Sequence, residues 1–291
     1  MTAAKTPNAA GNKRLNAAGL RRDLQLLDVL GSPESSQTGG LGVLRVAELV
    51  GRDKAIVSRS LATLAESGLV ERDPQTGLYR LGHRLYSLAA RTFESTLART
   101  SLPYLRRLVA ALHETTHLCV LRGGSVLTLL SEVSDYNFRG LGWEGVSVPA
   151  LHTSSGRVLL SDWEREDLAA WYERHKSDEW VPHAPREASA QGLPVPQSRP
   201  RPSITDFDGF SAEIARIRER GYATVDEEFE AGVVGVSAPV FDFRGRVIAA
   251  LNVSAPKMRL GAHLEQAGQA TAKIAAALSR RMGHGSDPRD A

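Results

Sequence analysis

The chain has 291 residues, 42% apolar and 24% charged, with a net charge of +3 and one cysteine, Cys119. At roughly 150 residues per domain that length suits two domains, and the balance is ordinary for a globular protein. No apolar run nears the ~18 residues of a bilayer span, a lone cysteine excludes an intramolecular disulfide, and a cytoplasmic location is the expectation. The charge is uneven: residues 1–99 hold 14 Lys and Arg against 9 Asp and Glu, while residues 100–291 hold 22 against 24. A basic first third fits a polyanion-binding head, and a solvated basic face gives the same count.

Residues 1–18 are basic and rich in Ala and Asn, without the apolar core of a signal peptide, so a disordered arm is expected there. Leu20, Leu24 and Leu27, widened by Val29 and Leu30, form the inward stripe of a first helix ended by Gly31. Arg45 to Val50 allows two helical turns with Val46, Leu49 and Val50 inward. Asp53 is the expected N-cap of the next helix. In that helix Val57, Leu61 and Leu64 make the packed face, while Ala55, Ser58, Arg59 and Ala62 lie opposite, with Lys54 at the N-terminal end. Small residues around one long donor suit close approach to base edges: Arg is the commonest reader of guanine, and Lys beside a helix N-terminus meets a phosphate. A solvated amphipathic helix is the competing reading.

Context separates the two. Gly68 ends the helix, and Leu69 to Arg72 and Leu78 to Leu81 read as strands around the turn Asp73-Pro74-Gln75-Thr76-Gly77. A helix-turn-helix followed at once by a basic wing points to DNA. The candidate contacts are Arg52, Lys54, Ala55, Ser58 and Arg59 with Arg72, Gln75, Thr76 and Arg80 of the wing.

The stretch Gly51 to Gly82 resembles the DNA-binding domain of the IclR family of bacterial transcription regulators. Its motifs read here as Leu61-Ala-Thr-Leu64-Ala-Glu-Ser-Gly68-Leu69-Val70 and Gly77-Leu-Tyr79-Arg-Leu81-Gly82. Further on, Pro149-Ala-Leu-His152-Thr153-Ser154-Ser155-Gly156-Arg157 is similar to the family's pocket-mouth motif, with Ser-Ser before the Gly and Arg in place of the usual Lys. Arg218-Glu-Arg-Gly221-Tyr222-Ala223, Glu227-Glu228, Gly232-Val233 and Ser237-Ala238-Pro239-Val240 match its second signature.

Between these motifs, Arg84 to about Leu112 has a helical pattern, with a break expected near Pro103. Residues 83–99 are expected to be a linker helix, able to pair with its twin or to pack on its own domain. Thr116 to Glu132 alternates as a hairpin around Gly123-Gly124. Cys119 lies inside its first strand as a small buried residue rather than a nucleophile. Tyr136, Phe138 and Trp143 follow. The Thr153–Ser155 turn opens a helix whose N–H groups and hydroxyls favour an anion, although simple N-capping also accounts for it. Ser161 to His175 reads as helix. Lys176 to Pro202 is proline-rich and reads as a loop or a pocket lid. Phe210 to Gly221 is amphipathic, Val233 to Val240 and Arg246 to Val253 are adjacent antiparallel strands, and Gly261 to Met282 is a closing helix.

The resemblance implies an α+β fold in five parts. These are a disordered arm (1–18), a winged helix-turn-helix domain (19–82), a linker helix (83–99), a GAF/PAS-like effector-binding domain (100–282) and a disordered tail (283–291). It implies a ligand-responsive regulator, a repressor, binding an operator in double-stranded DNA as a homodimer or homotetramer, with no cofactor, metal or membrane partner. The pocket positions it implies are Ser154, Ser155, Gly156, Asp226, Val233, Gly235, Asn252 and Ser254. Trp143 joins them as an upstream aromatic. Gly235 leaves room and Asn252 offers both donor and acceptor, so an aromatic carboxylate or related amide is the expected effector. The alternative is a hydrolase using Ser154, Ser155, His152 and the acids of residues 226–228. No Gly-x-Ser-x-Gly elbow supports it, and the His-Glu-x-x-His letters at His113 to His117 run into the strand that begins at Thr116 instead of lying on the helix which that motif requires.

Overall fold

A computed structural model describes residues 9–137, 143–178 and 203–285. The chain divides into two compact units, Met1–Thr96 and Leu97–Ala291.

In the first unit, helices α1 (Ala9–Leu30), α2 (Pro33–Thr38), α3 (Val43–Val50) and α4 (Lys54–Glu66) precede a hairpin of β1 (Val70–Arg72) and β2 (Tyr79–Leu81), and α5 (His83–Ala89) follows. Leu26, Leu30, Val46, Val57, Leu61, Val70 and Tyr79 share one core. Leu41 joins the wing by exchanging two 2.8 Å backbone hydrogen bonds with Tyr79. Three expectations shift. Helix α1 starts at Ala9, inside the stretch read as an arm, whose residues 1–8 lie outside the described residues. Its buried face carries Leu26 and Leu30 while Leu20 and Leu24 are exposed, because the inward stripe is set by where α3 packs and not by the first apolar repeat. Leu49 of α3 is likewise exposed.

The stretch expected as one linker helix is α5 followed by the start of α6 (Phe93–Leu112), with Ala90 to Thr92 between them. Pro103 lies inside α6 and does not end it. A proline removes one helical hydrogen bond, and the burial of Leu97, Leu105, Leu108 and Val109 on either side holds the helix together across that gap.

The second unit is built on a six-stranded antiparallel sheet. Its strands are β3 (Thr115–Arg122), β4 (Ser125–Glu132), β5 (Ser147–Pro149), β6 (Ala223–Asp226), β7 (Val233–Phe241) and β8 (Val247–Pro256), in the order β5-β4-β3-β8-β7-β6. The hairpin expected around Gly123-Gly124 is β3–β4, with Arg122 opposite Ser125. Side chains alternate between the two faces of each strand. Leu118, Val120, Val234, Val236, Ala238, Val240, Ala249, Leu251 and Val253 point to a core closed by α6 and the C-terminal helix α11 (Leu264–Arg281). The opposite face, carrying Cys119, Ala223 and Ala250, meets α7 (Ser154–Leu159), α8 (Arg165–His175) and α9 (Phe207–Arg220). A short α10 (Lys257–Leu260) connects β8 to α11. The helix expected from Ser161 therefore starts at Arg165, and the chain leaves helical geometry between α7 and α8. Most of the proline-rich excursion, Phe138 and residues 286–291 lie outside the described residues, whereas residues 283–285 return to the sheet unit, with the His284 ring stacked 5.1 Å from Phe241. No described helix is long and apolar enough to cross a membrane.

Helix α7 is pressed onto the sheet by two features. A Cβ at Gly156 would lie 2.0 Å from the Ala150 carbonyl oxygen, so only glycine allows the helix to approach the preceding loop this closely. At the next residue, the buried Arg157 guanidinium meets Glu228 through two bonds of 3.1 and 2.6 Å, and its Nε donates to the Leu151 carbonyl. Glu228 also accepts from the Ser203 backbone N–H and hydroxyl. Burial alone would raise the Glu228 pKa, but the Arg157 and Ser203 hydrogen bonds and the Arg157 charge outweigh it and hold the carboxyl below its usual value.

Gly156→Ala should destabilise the sheet unit by about 1–3 kcal/mol, read from urea unfolding, because the backbone must move to admit the methyl group. Arg157→Met, which strands a buried carboxylate, should cost about 3–5 kcal/mol, and adding Glu228→Gln should restore most of the loss. In the parent, the lowered pKa means that the Glu228 contribution is intact above the unfolded-state value of 4.5 and is lost as pH falls through the folded value. An acid titration of stability that shows no such loss would contradict this assignment.

Candidate functional site

In the first unit the exposed face of α4 carries the candidate polyanion contacts. The Asp53 carboxylate caps the helix, accepting from Ala55 N at 2.8 Å and Ile56 N at 3.3 Å. Val57 and Leu61 are fully buried, which fixes the rotation of the helix and turns Lys54, Ala55, Arg59 and Ala62 outward, with Ser58 at the margin. Lys54 and Arg59 enter no ion pair among the described residues, so their charges stay available.

The wing is held by the Asp73 carboxylate, which accepts from the Gln75 and Thr76 N–H groups at 2.8 Å each and thereby keeps its pKa low. Gln75 and Thr76 are exposed at the tip. Arg72 lies over the Tyr79 ring, 5.6 Å from its centre. Two sequence candidates are otherwise engaged. The Arg52 side chain, 17% exposed, donates to the Arg22 carbonyl at 3.1 Å and approaches Asp23 at 3.4 Å, tying the α3–α4 turn to α1. Arg80 is paired with Glu71 across the hairpin at 3.2 Å.

In the second unit a cavity of about 480 Å³ opens over the sheet face beneath α7. Strand register explains its floor. Asn252 in the middle of β8 stands opposite His117 on one side and Ser237 on the other, and Ser254 stands between Thr115 and Gly235. Antiparallel pairing thus lines up small and polar side chains across three strands.

Ser237 is fully buried and joins the floor to the helix. Its Oγ lies 2.9 Å from Ser154 Oγ, 3.0 Å from Ser155 Oγ and 3.0 Å from Asn252 Nδ2. The Val236 carbonyl, an acceptor only, lies 3.2 Å from the Asn252 amide, so Nδ2 faces it and Oδ1 is left without a protein partner among the described residues. The N-cap of α7 is Thr153, which accepts from Gly156 N at 3.0 Å, so Ser154 and Ser155 are not needed for capping. Aromatic rings form one wall: Trp143 lies 6.4 Å from Phe229 and, edge-on, 6.4 Å from His117.

Of the effector positions named from the sequence, Trp143, Ser154, Ser155, Val233, Gly235, Asn252 and Ser254 line this one cavity. Gly156 and Asp226 do not. Gly156 faces the Ala150 backbone, and Asp226 alternates outward from Val225 and pairs with Lys257 at 2.8 Å. Tyr136 is also elsewhere, beneath the Arg259 guanidinium at 4.6 Å. His117, Thr115, Thr128 and Phe229 line the cavity without having been singled out, and Ser237 orders it from behind. The signal for His117 and Ser237 was the alternation that puts them on the Asn252 face. Phe229 sits in the turn after Glu228, where no periodicity could announce it.

As a hydrolase the arrangement fails on geometry. Ser154 and Ser155 bond to Ser237 and Asn252, not to a histidine, and the buried His152 Nδ1 finds no partner. Burial also pushes the Cys119 thiol up to about 11, away from thiolate chemistry.

Comparison with known proteins agrees with both halves. Residues 19–74 match the IclR helix-turn-helix domain and residues 92–280 match the family described as bacterial transcriptional regulator IclR C-terminal. The chain is 29% identical over 246 residues to the HTH-type transcriptional regulator KdgR of Escherichia coli (strain K12), covering 84% of this chain and 86% of that one. It is 26% identical over 261 residues to the DNA-binding transcriptional repressor YiaJ of the same organism, covering 88% and 85%. Its fold matches an IclR homolog from Microbacterium hydrocarbonoxydans complexed with 4-hydroxybenzoate, with a TM-score of 0.70, 22% identity and coverage of 91% and 98%. These proteins are regulators, not enzymes, and the chain belongs to the IclR family of transcriptional regulators, with an N-terminal DNA-binding domain and a C-terminal effector-binding domain.

Proposed function

We propose that this regulator is a repressor that binds a palindromic operator as a homodimer, or a dimer of dimers, under the control of a small aromatic acid or related amide. Arg59 reads a base in the major groove, Lys54 meets a phosphate at the start of α4, and Arg72, Gln75 and Thr76 lie along the backbone. The outward, unpaired Arg59 on a face of small residues is the observation that carries the DNA reading. Repression is the role named for YiaJ. Self-association is supported by apolar side chains left exposed in the first unit, among them Leu20, Leu24, Tyr86, Leu88 and Phe93. Two α4 helices about 34 Å apart would then enter successive turns of the major groove.

The effector reading rests on the cavity: Trp143 and Phe229 on one wall, a polar floor, and a glycine where a larger residue would fill space. A Cβ at Gly235 would stand 3.2 Å from both Ser154 Oγ and Val225 Cγ2. The bound 4-hydroxybenzoate of the Microbacterium homolog points to the same class. Control requires the effector to bind one setting of the DNA-binding units more tightly than another, since equal affinity shifts nothing.

Arg59→Ala should weaken operator binding by about 1–3 kcal/mol and relax base preference at one position, measured by titration against single-base operator variants. Lys54→Ala should weaken all sequences alike and reduce the salt slope by about 1. An Arg59→Ala protein with parental selectivity would remove α4 from the role given to it. In a calorimetric panel, aromatic acids or their amides should bind more tightly than pyruvate or glyoxylate; the reverse order would rule out the aromatic class.

A further inference from the structure

The described lining of the cavity offers an anion hydroxyls but no positive charge. Among the described lining residues there is no Lys or Arg, and Glu230 at the rim is an acid. The nearby cations are committed, Arg157 to Glu228 and Lys257 to Asp226 and Glu227. The Asn252 amide nitrogen donates to Val236 and Ser237, and Ser237 can accept from only one of Ser154 and Ser155, so the other keeps a neutral O–H to donate but no charge. A carboxylate moved from water into this setting would meet the hydroxyls of Thr115, Thr128 and Ser254 but no counter-charge.

One lining residue can change that. His117 is 5% exposed, and its Nδ1 lies 2.8 Å from Ser131 Oγ. Its other ring nitrogen, Nε2, has no protein partner among the described residues, and the ring borders the cavity beside Asn252 and edge-on to Trp143. We propose that His117 selects the effector by its charge: it is neutral in the empty cavity and takes one proton from solvent as an anionic effector enters, so that imidazolium Nε2–H pairs with the carboxylate. A neutral amide needs no such proton, and the same nitrogen then serves as an ordinary hydrogen-bonding atom. This rests on the acid-or-amide reading above and goes beyond it by naming the residue that tells the two apart.

The surroundings suit a group held neutral until an anion arrives. Burial lowers the His117 pKa to about 4. On its own strand Cys119 shares the face, with its thiol neutral. From β4 come the Ser131 hydroxyl and Glu132, whose carboxylate pairs with Arg106. The Glu144 carboxylate, beside Trp143, is hydrogen-bonded to the Ser131 N–H. From β8 comes the uncharged Asn252, and from the β6–β7 loop comes Glu230 at the rim. A bound carboxylate raises the His117 pKa, so between the free and bound values binding takes up a proton, and acid affinity falls as pH rises through that window.

The test uses the full chain with two matched pairs: 4-hydroxybenzoate with 4-hydroxybenzamide, and phenylacetate with phenylacetamide. Calorimetry in two buffers of different ionisation enthalpy, from about pH 5.5 to about pH 8, should show uptake approaching one proton per bound acid and none for the amides. Acid affinity should fall by up to about tenfold per pH unit within the window while amide affinity stays flat. His117→Gln should abolish the uptake and weaken the acids at least about tenfold, leaving the amides within about threefold. Proton uptake alone does not say whether the proton sits on His117 or on the acid, so if the variant does not fold, NMR of the His117 ring in the acid-bound parent decides: an imidazolium supports the proposal and a neutral ring overturns it. Acids that bind without proton uptake, or amides that bind while both acids are refused, would overturn the proposal and leave the effector class standing. If no member of either pair binds, the aromatic class falls and the proposal falls with it.

Discussion

Ser237 has one proton to give and three polar partners, and the ordering of the effector domain turns on how that is resolved. The Asn252 amide must donate to it, because the same nitrogen faces the Val236 carbonyl. Ser154 and Ser155 take the remaining lone pair and the proton in one order or the other. Ser237 is thereby saturated before any ligand arrives, the serine that takes its proton keeps one O–H to donate, and α7 is sewn to the middle of the sheet. A buried network of this kind is stabilising only when every member is satisfied. Here that condition fixes the height of α7 above the sheet, hence the depth of the cavity.

Arg157 and Glu228 extend the same constraint outward. Bidentate contact between a guanidinium and a carboxylate is directional, so the pair sets orientation as well as proximity. Through it the α7 wall, the loop after β6 and the chain at the exposed Ser203 meet on one buried ion pair. The cavity rim is assembled from segments far apart in sequence, and the geometry of any bound molecule is shared among all of them. In the DNA-binding unit the corresponding economy is simpler. Asp53 caps α4, two buried aliphatics set its rotation, and the outward placement of Lys54 and Arg59 follows.

Much of this was legible in the chain, for reasons that also explain what was not. The α4 face, the Asp53 cap, the Asp73 turn and the Gly123-Gly124 hairpin depend on near neighbours, which local pattern encodes. The exposure of Leu20 and Leu24 at the start of an α1 stripe whose Leu27, Val29 and Leu30 do pack inward, the engagement of Arg52 with Asp23 and the continuation of α6 through Pro103 depend on tertiary partners. The pocket divided along the same line. Family motifs carried Ser154, Ser155, Gly235 and Asn252, whereas His117 and Ser237 become pocket residues only once strands distant in sequence are paired in register. Asp226 and Gly156 were adjacent to the right residues and faced the wrong way, an error of one position that period-2 alternation and a tight helix–loop contact decide.

The placement of β8 between β3 and β7 has a kinetic side. Pairing Thr115–Cys119 with Ala250–Ser254 closes a loop over most of the second unit, and the entropy of that closure must be met before the central sheet contacts repay it. The wing hairpin closes a short loop, and the helices before it close shorter ones than the β3–β8 pairing does. During synthesis the reading head can therefore be complete while the sheet still lacks its central strand, so the fold itself separates in time the part that finds DNA from the part that governs it.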